Sequence, residues 1–296
     1  TQQIENGFHQ QNFDGNTSSD DTRKYYQRLN HQILDEVTPS VFREVSDGEI
    51  GQILDQSLEK LKEQIDKAQG NPETEQMLYE QLALQVRETI ENSQESVRYL
   101  EQLGLPDTIT NIQAAQQLIS ENYDVYQEVD KRKKDISRET QEEFYDAMEA
   151  IPESLESTDA VRESYGRLYK SMEAILEQSY EKEVVTSDEL RSLKQLSTGM
   201  IFQNSRVQRH SYDVPVLTGD QVTTMNVTLI RGEEDTGRVQ IFMQDISAEL
   251  RVHQGEVKGL ILCDDREMYE SLFSNEDELT QELENNGYQV KNISYS

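Results

Sequence analysis

The sequence predicts an α+β protein, with an elongated all-helical N-terminal bundle followed by a small β-meander and α/β domain. Three observations carry this reading. From about Thr22 to about Arg209, apolar residues recur at three- and four-residue steps, the spacing of one helix face. After Ser211, Val, Ile, Thr and Gly rise and the steps give way to alternation, the spacing of strands. The 296-residue chain is also only 34% hydrophobic, with 28 Lys+Arg against 58 Asp+Glu and a net charge of −30. Thin helices with long solvated faces account for that balance, together with a short disordered lead.

The same numbers exclude some partners. A chain this acidic lacks the basic footprint that nucleic acid or an anionic membrane surface requires. No apolar run approaches the ~20 residues that span a bilayer, so neither nucleic acid nor membrane insertion is expected. One cysteine, Cys263, allows no internal disulfide. Thr1-Gln2-Gln3-Ile4 offers no initiator Met, basic region or apolar signal core. A longer parent chain is expected, cytoplasmic or exported by a route that needs no disulfides.

Three segments follow from the patterning. Residues 1–21 are Gln, Asn, Asp, Ser and Gly with isolated Ile4, Phe8 and Phe13, too little apolar surface to offset chain entropy, and are expected to be disordered. Residues 22–207 form the helical part. Ser46 and Glu49 have capping-box spacing, and Ile50, Ile53, Leu54, Leu58, Leu61, Ile65 and Ala68 follow on one face up to Gly70. Asn71-Pro72 starts the next helix, whose face of Leu78, Leu82, Val86, Ile90, Val97, Leu100 and Leu103 runs unbroken to Gly104, about 45 Å at ~1.5 Å per residue. Ile109, Ile112, Ala115 and Ile119 mark a shorter helix. A weaker stretch from Tyr123 to Ile151 is anchored by Phe144 and Met148. Val161, Tyr165, Leu168, Met172, Ile175 and Leu176 form another face. Thr186 and Glu189 make a second capping pair before Leu190, Leu193, Leu196 and Met200.

Residues 208–296 form the third segment. Val214 and Val216 flank Pro215, which places that strand at a sheet edge. Gly219-Asp220 reads as a turn and Gly232 to Gly237 as an acidic loop. Met225, Val227 and Leu229 alternate, as do Val239, Ile241 and Met243, then Ile246, Ala248, Leu250 and Val252. Gln254-Gly255 reads as a hairpin turn into Val257, Gly259, Ile261 and Cys263. A helix is expected over Asp265 to Asn285, closed by Asn286-Gly287, with a final strand from Tyr288 to Tyr295.

Candidate chemistry is sparse. His9, His31, His210 and His253 have no metal-ligand spacing and read as surface or structural residues. Arg206, Arg209 and His210 form a small basic knot suited to a salt bridge at the junction, or to an acidic ligand. Asp264-Asp265 stands where a strand passes into a helix, a position for capping or for a catalytic acid. Cys263 reads as a buried, inert thiol. The basic run Lys131-Arg132-Lys133-Lys134 is flanked by Glu128, Asp130, Asp135 and Glu139, which neutralise it along a helix. Tyr25, Tyr26, Tyr79, Tyr99, Tyr123, Tyr126, Tyr145, Tyr165, Tyr169 and Tyr180 fit the shoulders of a bundle. No glycine-rich phosphate loop, GxSxG or calcium-loop motif is present, and no cofactor, metal or catalytic residue is assigned.

Several short patterns fall in a telling order. Gly237-Arg238-Val239-Gln240-Ile241 begins a strand and Ala248-Glu249-Leu250-Arg251-Val252 forms a second. Leu272, Leu279 and Leu283 mark a helix. Gly287-Tyr288-Gln289-Val290, with Ile293, ends the chain. In these residues the C-terminal segment resembles the C-terminal domain of flagellar hook-length control proteins. It departs from them where Glu233-Glu234-Asp235-Thr236 replaces the usual Pro and Leu, and where the strand Val257–Cys263 is added. The helical part is similar, over Leu105 to Ala115, to an uncharacterised Firmicutes family in which helices precede such a domain.

The resemblance implies a non-enzymatic interaction protein of flagellar export or hook-length control. Its C-terminal domain would meet an export-gate protein through Gly237, Arg238, Val239, Ile241, Leu279, Leu283, Gly287 and Tyr288. From Gln208 on, 7 Lys+Arg face 17 Asp+Glu, a balance of −10, so a basic partner surface is expected. Two other classes stand beside this one: a helical scaffold or surface protein of a Gram-positive bacterium unrelated to flagella, and an enzyme using carboxylates such as Asp264 and Asp265 at the junction.

Overall fold

The computed structural model describes residues 19–39, 47–68, 72–120, 124–131, 137–155, 157–182, 186–218, 221–233, 235–243 and 246–296. These hold eleven helices and one six-stranded sheet, an α+β fold with its helices mostly before the sheet. Residues 1–18, Ser46, Gly70-Asn71, residues 132–136 and Gly219-Asp220 lie outside the described residues, and with them most of the expected lead, one half of the first capping box, most of the basic run and one turn. The first helix, α1, covers Ser19–Glu36 and so takes in three residues assigned to the lead.

Two compact units emerge. The first comprises residues 1–123, 133–144 and 167–202; the second comprises 124–132, 145–166 and 203–296. The sheet therefore shares its unit with helical segments that precede residue 208.

In the first unit, α2 (Asp47–Lys67), α3 (Pro72–Glu91), α4 (Gln94–Leu103) and α5 (Ile109–Leu118) join α1 around one apolar core. Leu61, Ile65, Leu78, Leu82, Val86, Ile90, Leu100, Ile109 and Ile112 are buried there, the positions that the three- and four-residue steps select. Pro72 is the first residue of α3, where its missing N–H costs nothing. The single 45 Å helix expected up to Gly104 is instead two. The chain turns at Asn92-Ser93, where the buried Ser93 hydroxyl bonds the Ile90 carbonyl at 2.7 Å. The carbonyls that this break frees are taken up by α5: the Gln116 amide donates to Thr89 O at 2.9 Å and Asn92 O at 3.2 Å. Gly104 ends α4 in the left-handed region, φ 69°.

Helices α6 (Val125–Lys131), α7 (Arg138–Ser154), α8 (Thr158–Tyr180) and α9 (Ser187–Arg206) follow, and α9 runs into a 3-10 turn over Val207–Arg209. The Thr186–Glu189 capping box is reciprocal: Thr186 N donates to Glu189 Oε2 at 2.8 Å, and Glu189 N to Thr186 Oγ1 at 3.2 Å. Phe144 and Met148 are buried, as their anchoring role requires.

The sheet has strands β1 (Ser211–Thr218), β2 (Gln221–Arg231), β3 (Thr236–Met243), β4 (Ile246–His253), β5 (Glu256–Cys263) and β6 (Gln289–Tyr295), in that spatial order. Neighbours are antiparallel up to β5, and β6 is parallel to β5. A parallel partner needs a crossover, supplied by α10 (Arg266–Ser274) and α11 (Glu276–Asn285). The expected single helix over 265–285 is thus a pair interrupted at Asn275. Pro215 lies in β1, an edge strand, as its missing donor demands. Gln254 and Gly255 both have positive φ, 50° and 79°, the form that matches hairpin twist.

Register sorts the side chains onto two faces. One face carries Val227–Ile241–Ala248–Ile261–Tyr295 and Leu229–Val239–Leu250–Gly259–Ile293 as cross-strand rows. Phe273 of α10 touches its β6 edge, 5.8 Å from the Tyr295 ring, with about half of its own surface still exposed. A Cβ on Gly259 would lie 2.6 Å from Leu250 Cδ2, so the glycine makes room for this row. The other face carries Asp213–Asn226–Phe242–Ser247–Leu262, Thr228–Gln240–Glu249–Leu260 and Ile230–Arg238–Arg251–Lys258.

Candidate functional sites: a buried polar knot and an open sheet face

Asp213, on β1, is 5% exposed. Arg206, from the last turn of α9, donates from Nη1 to both carboxylate oxygens at 2.7 Å and from Nη2 to Ser211 Oγ at 2.9 Å. The Asn226 amide also donates to this carboxylate. The Asp213 main chain is held as fully. The Tyr126 and Tyr165 hydroxyls donate to its carbonyl at 3.0 and 2.9 Å, and its N–H donates to Tyr165 Oη at 2.9 Å. Burial pushes both phenols up, with the Asp213 charge adding to the effect, so they remain donors. Gln203 sets its amide beside the Tyr126 hydroxyl and, among the described residues, makes no well-formed hydrogen bond.

Asp124 clamps the neighbouring strand. Its carboxylate accepts from Thr223 Oγ1, Thr224 N and Thr224 Oγ1 at 2.7–2.8 Å, and it caps α6 through Gln127 N at 3.0 Å. These groups saturate one another, so the knot fastens β1 and β2 to helical segments of the same unit. Of the expected basic knot, Arg206 takes a carboxylate partner. His210 supplies a left-handed turn, φ 54°, whose carbonyl accepts from Leu229 N. Asp124 and Gln127 have capping-box spacing, a local signal that the sequence analysis passed over. Nothing local ties Asp213 to Tyr126 or Tyr165.

The other candidate residues are occupied or peripheral. Asp265 caps α10, accepting from Met268 N at 2.8 Å, and Asp264 is exposed. Cys263 is half-buried rather than buried, its thiol 3.2 Å from Asp265 O. Lys131 pairs with Glu128 at 2.6 Å. His31 bonds the Tyr180 hydroxyl, and burial pushes it down to about 4, helped by the Lys194 charge. His9 lies outside the described residues. No three His, Cys, Asp or Glu side chains among the described residues could hold a metal ion. No described helix is long and apolar enough to cross a membrane.

The residues named by the resemblance fall in several places. Val239 and Ile241 belong to the apolar rows, and Arg238 to the opposite face. Leu279 and Leu283 are half-buried on α11. Gly287 takes the left-handed turn after that helix, φ 87°, and Tyr288 beside it is exposed.

A second candidate site needs no cavity within the core. On the face of Arg238, Phe242 is 52% exposed, Leu260 44%, Leu262 43% and Ile230 37%. Four large apolar side chains from β2, β3 and β5 thus meet water on one side of one sheet, and Phe242, Leu260 and Leu262 line an open concavity of about 610 Å³. Glu249 lies among them, held below the usual carboxylate range by the Arg251 guanidinium and the Gln240 amide. Soluble proteins seldom leave such a cluster unused. Set against family models, curated proteins and solved structures, the chain matches none.

Proposed function

We propose that this protein acts by binding rather than by catalysis, and that the open face of β3–β5 is its docking surface. The exposure of Phe242, Leu260, Leu262 and Ile230 on one face supports the reading most directly, because folding alone gives no reason to keep them wet. The saturated hydrogen bonds around Asp213 support it as well: that buried carboxylate has its two oxygens committed to Arg206 and Asn226. The proposed setting is flagellar export or hook-length control, which rests on the resemblance of residues 237–293 alone.

The experiment is capture by the full chain of the cytoplasmic domains of export-gate proteins at low salt. Capture that disappears in the Phe242→Ser/Leu262→Ser variant supports both the setting and the surface. An empty pull-down at low salt removes the flagellar setting.

A further inference from the structure

The open face differs in sign from the rest of the molecule. Arg238, Arg251 and Lys258 stand in one cross-strand row. Glu249 serves both arginines, at 3.5 Å from Arg238 and 2.6 Å from Arg251. Lys258 has no carboxylate within ion-pair distance among the described residues. Among the described residues these three cations share Glu249 alone, since Glu256, two residues before Lys258 on β5, is taken by Lys291 at 3.1 Å, while the chain as a whole carries −30. The average charge calls for a basic partner; this face calls for an acidic one.

Resting on the docking reading above, we infer that the open face receives an acidic amphipathic helix from a partner protein. Its apolar side chains would sit on Phe242, Leu260 and Leu262, and its carboxylates would pair with Arg251 and Lys258. A helix is the usual cover for an apolar sheet face, and α10 already meets the edge of the opposite one through Phe273 and Tyr295. Lys258 and Leu262 lie four residues apart on β5, about 13 Å at ~3.3 Å per residue. That distance is a little over two helical turns of ~5.4 Å each. For a helix lying along β5, eight residues rise about 12 Å and stay on one side, so the partner helix places a carboxylate about eight residues from an apolar anchor, with the flexible Lys258 side chain covering the remainder. A second copy of this chain fits poorly, because a two-fold contact would press two positive rows together.

The test titrates isotope-labelled full chain with three synthetic helical peptides, counting only binding that shifts the signals of Phe242, Leu260 and Leu262. One peptide has a leucine face and glutamates elsewhere, one replaces the glutamates by lysines, and one keeps the glutamates but replaces leucine by serine. The glutamate–leucine peptide is expected to bind at least about tenfold more tightly than either other, the worth of one or two charge pairs. That preference should shrink with salt and reverse in Arg251→Glu/Lys258→Glu. Equal or tighter binding of the lysine peptide, abolished by Phe242→Ser, overturns the acidic helix and leaves the docking surface standing. A dimer in sedimentation that Leu262→Ser dissociates overturns it in favour of a second copy. If no peptide shifts the face at millimolar concentration, the docking surface falls as well.

Discussion

Asp213 and Phe242 occupy the same cross-strand row, two strands apart, in opposite circumstances. The carboxylate is almost wholly buried and the phenyl ring is half in water. Around β1 and β2, the unit spends Arg206, Asn226, Tyr126, Tyr165 and Asp124 to fasten polar strands to helices. Around β3 to β5 the same face carries Phe242, Leu260 and Leu262 beside the charged row of Arg238, Arg251 and Lys258, and among the described residues nothing buries the three apolar side chains. A buried charge is tolerated only when every neighbour is committed to it, so the first half is specified for the fold. The second half is left exposed by the fold, and the proposed binding role would give its composition a purpose.

The contrast breaks most visibly at Asp213. Asp213→Ala strands the Arg206 guanidinium, and urea denaturation is expected to show a loss of about 3–5 kcal/mol. A loss below 1 kcal/mol would mean that the knot does not fasten the strands.

How much of this was legible in the sequence follows the same division. Periodicity marked Leu61, Leu78 and Ile109 for the core, alternation marked the strands, and Pro215 marked an edge, since each signal is local. The break at Asn92-Ser93 was hidden, because Val97 and Leu100 keep the helical step across it while Gln116, which takes up the freed carbonyls, lies on another helix. Arg206 stood out, but its partner is chosen by register and its tyrosines by the fold. The open face was partly visible: Leu260-Ile261-Leu262 is apolar at both parities, and alternation cannot tell which face a helix will cover.

His31 offers the next largest effect and asks whether the rule for buried polar groups holds in the helical unit. Its ordinary value of 6.5 falls to about 4 in the fold. Below pH 6.5 the unfolded chain takes a proton that the folded chain refuses, so stability declines from there to about pH 4 and then levels, by about 3 kcal/mol in all. His31→Gln is expected to remove that part of the slope, read as the difference between the two pH–stability curves.

Gly259→Ala tests the covered face of the sheet. The new methyl would meet Leu250 Cδ2 at 2.6 Å and Ile293 at 3.5 Å, so overpacking is expected to cost about 1–3 kcal/mol. A neutral result would show the rows on that face to be loosely packed.

The smallest stability effect is expected where the claim is largest. If Phe242 and Leu262 are kept for a partner, the fold does not depend on them. The most direct measurement is the unfolding free energy of Phe242→Ser/Leu262→Ser beside the parent chain. The account predicts agreement within about 0.5 kcal/mol, the range of surface substitutions. A loss above about 2 kcal/mol, as for truncated core side chains, would contradict it.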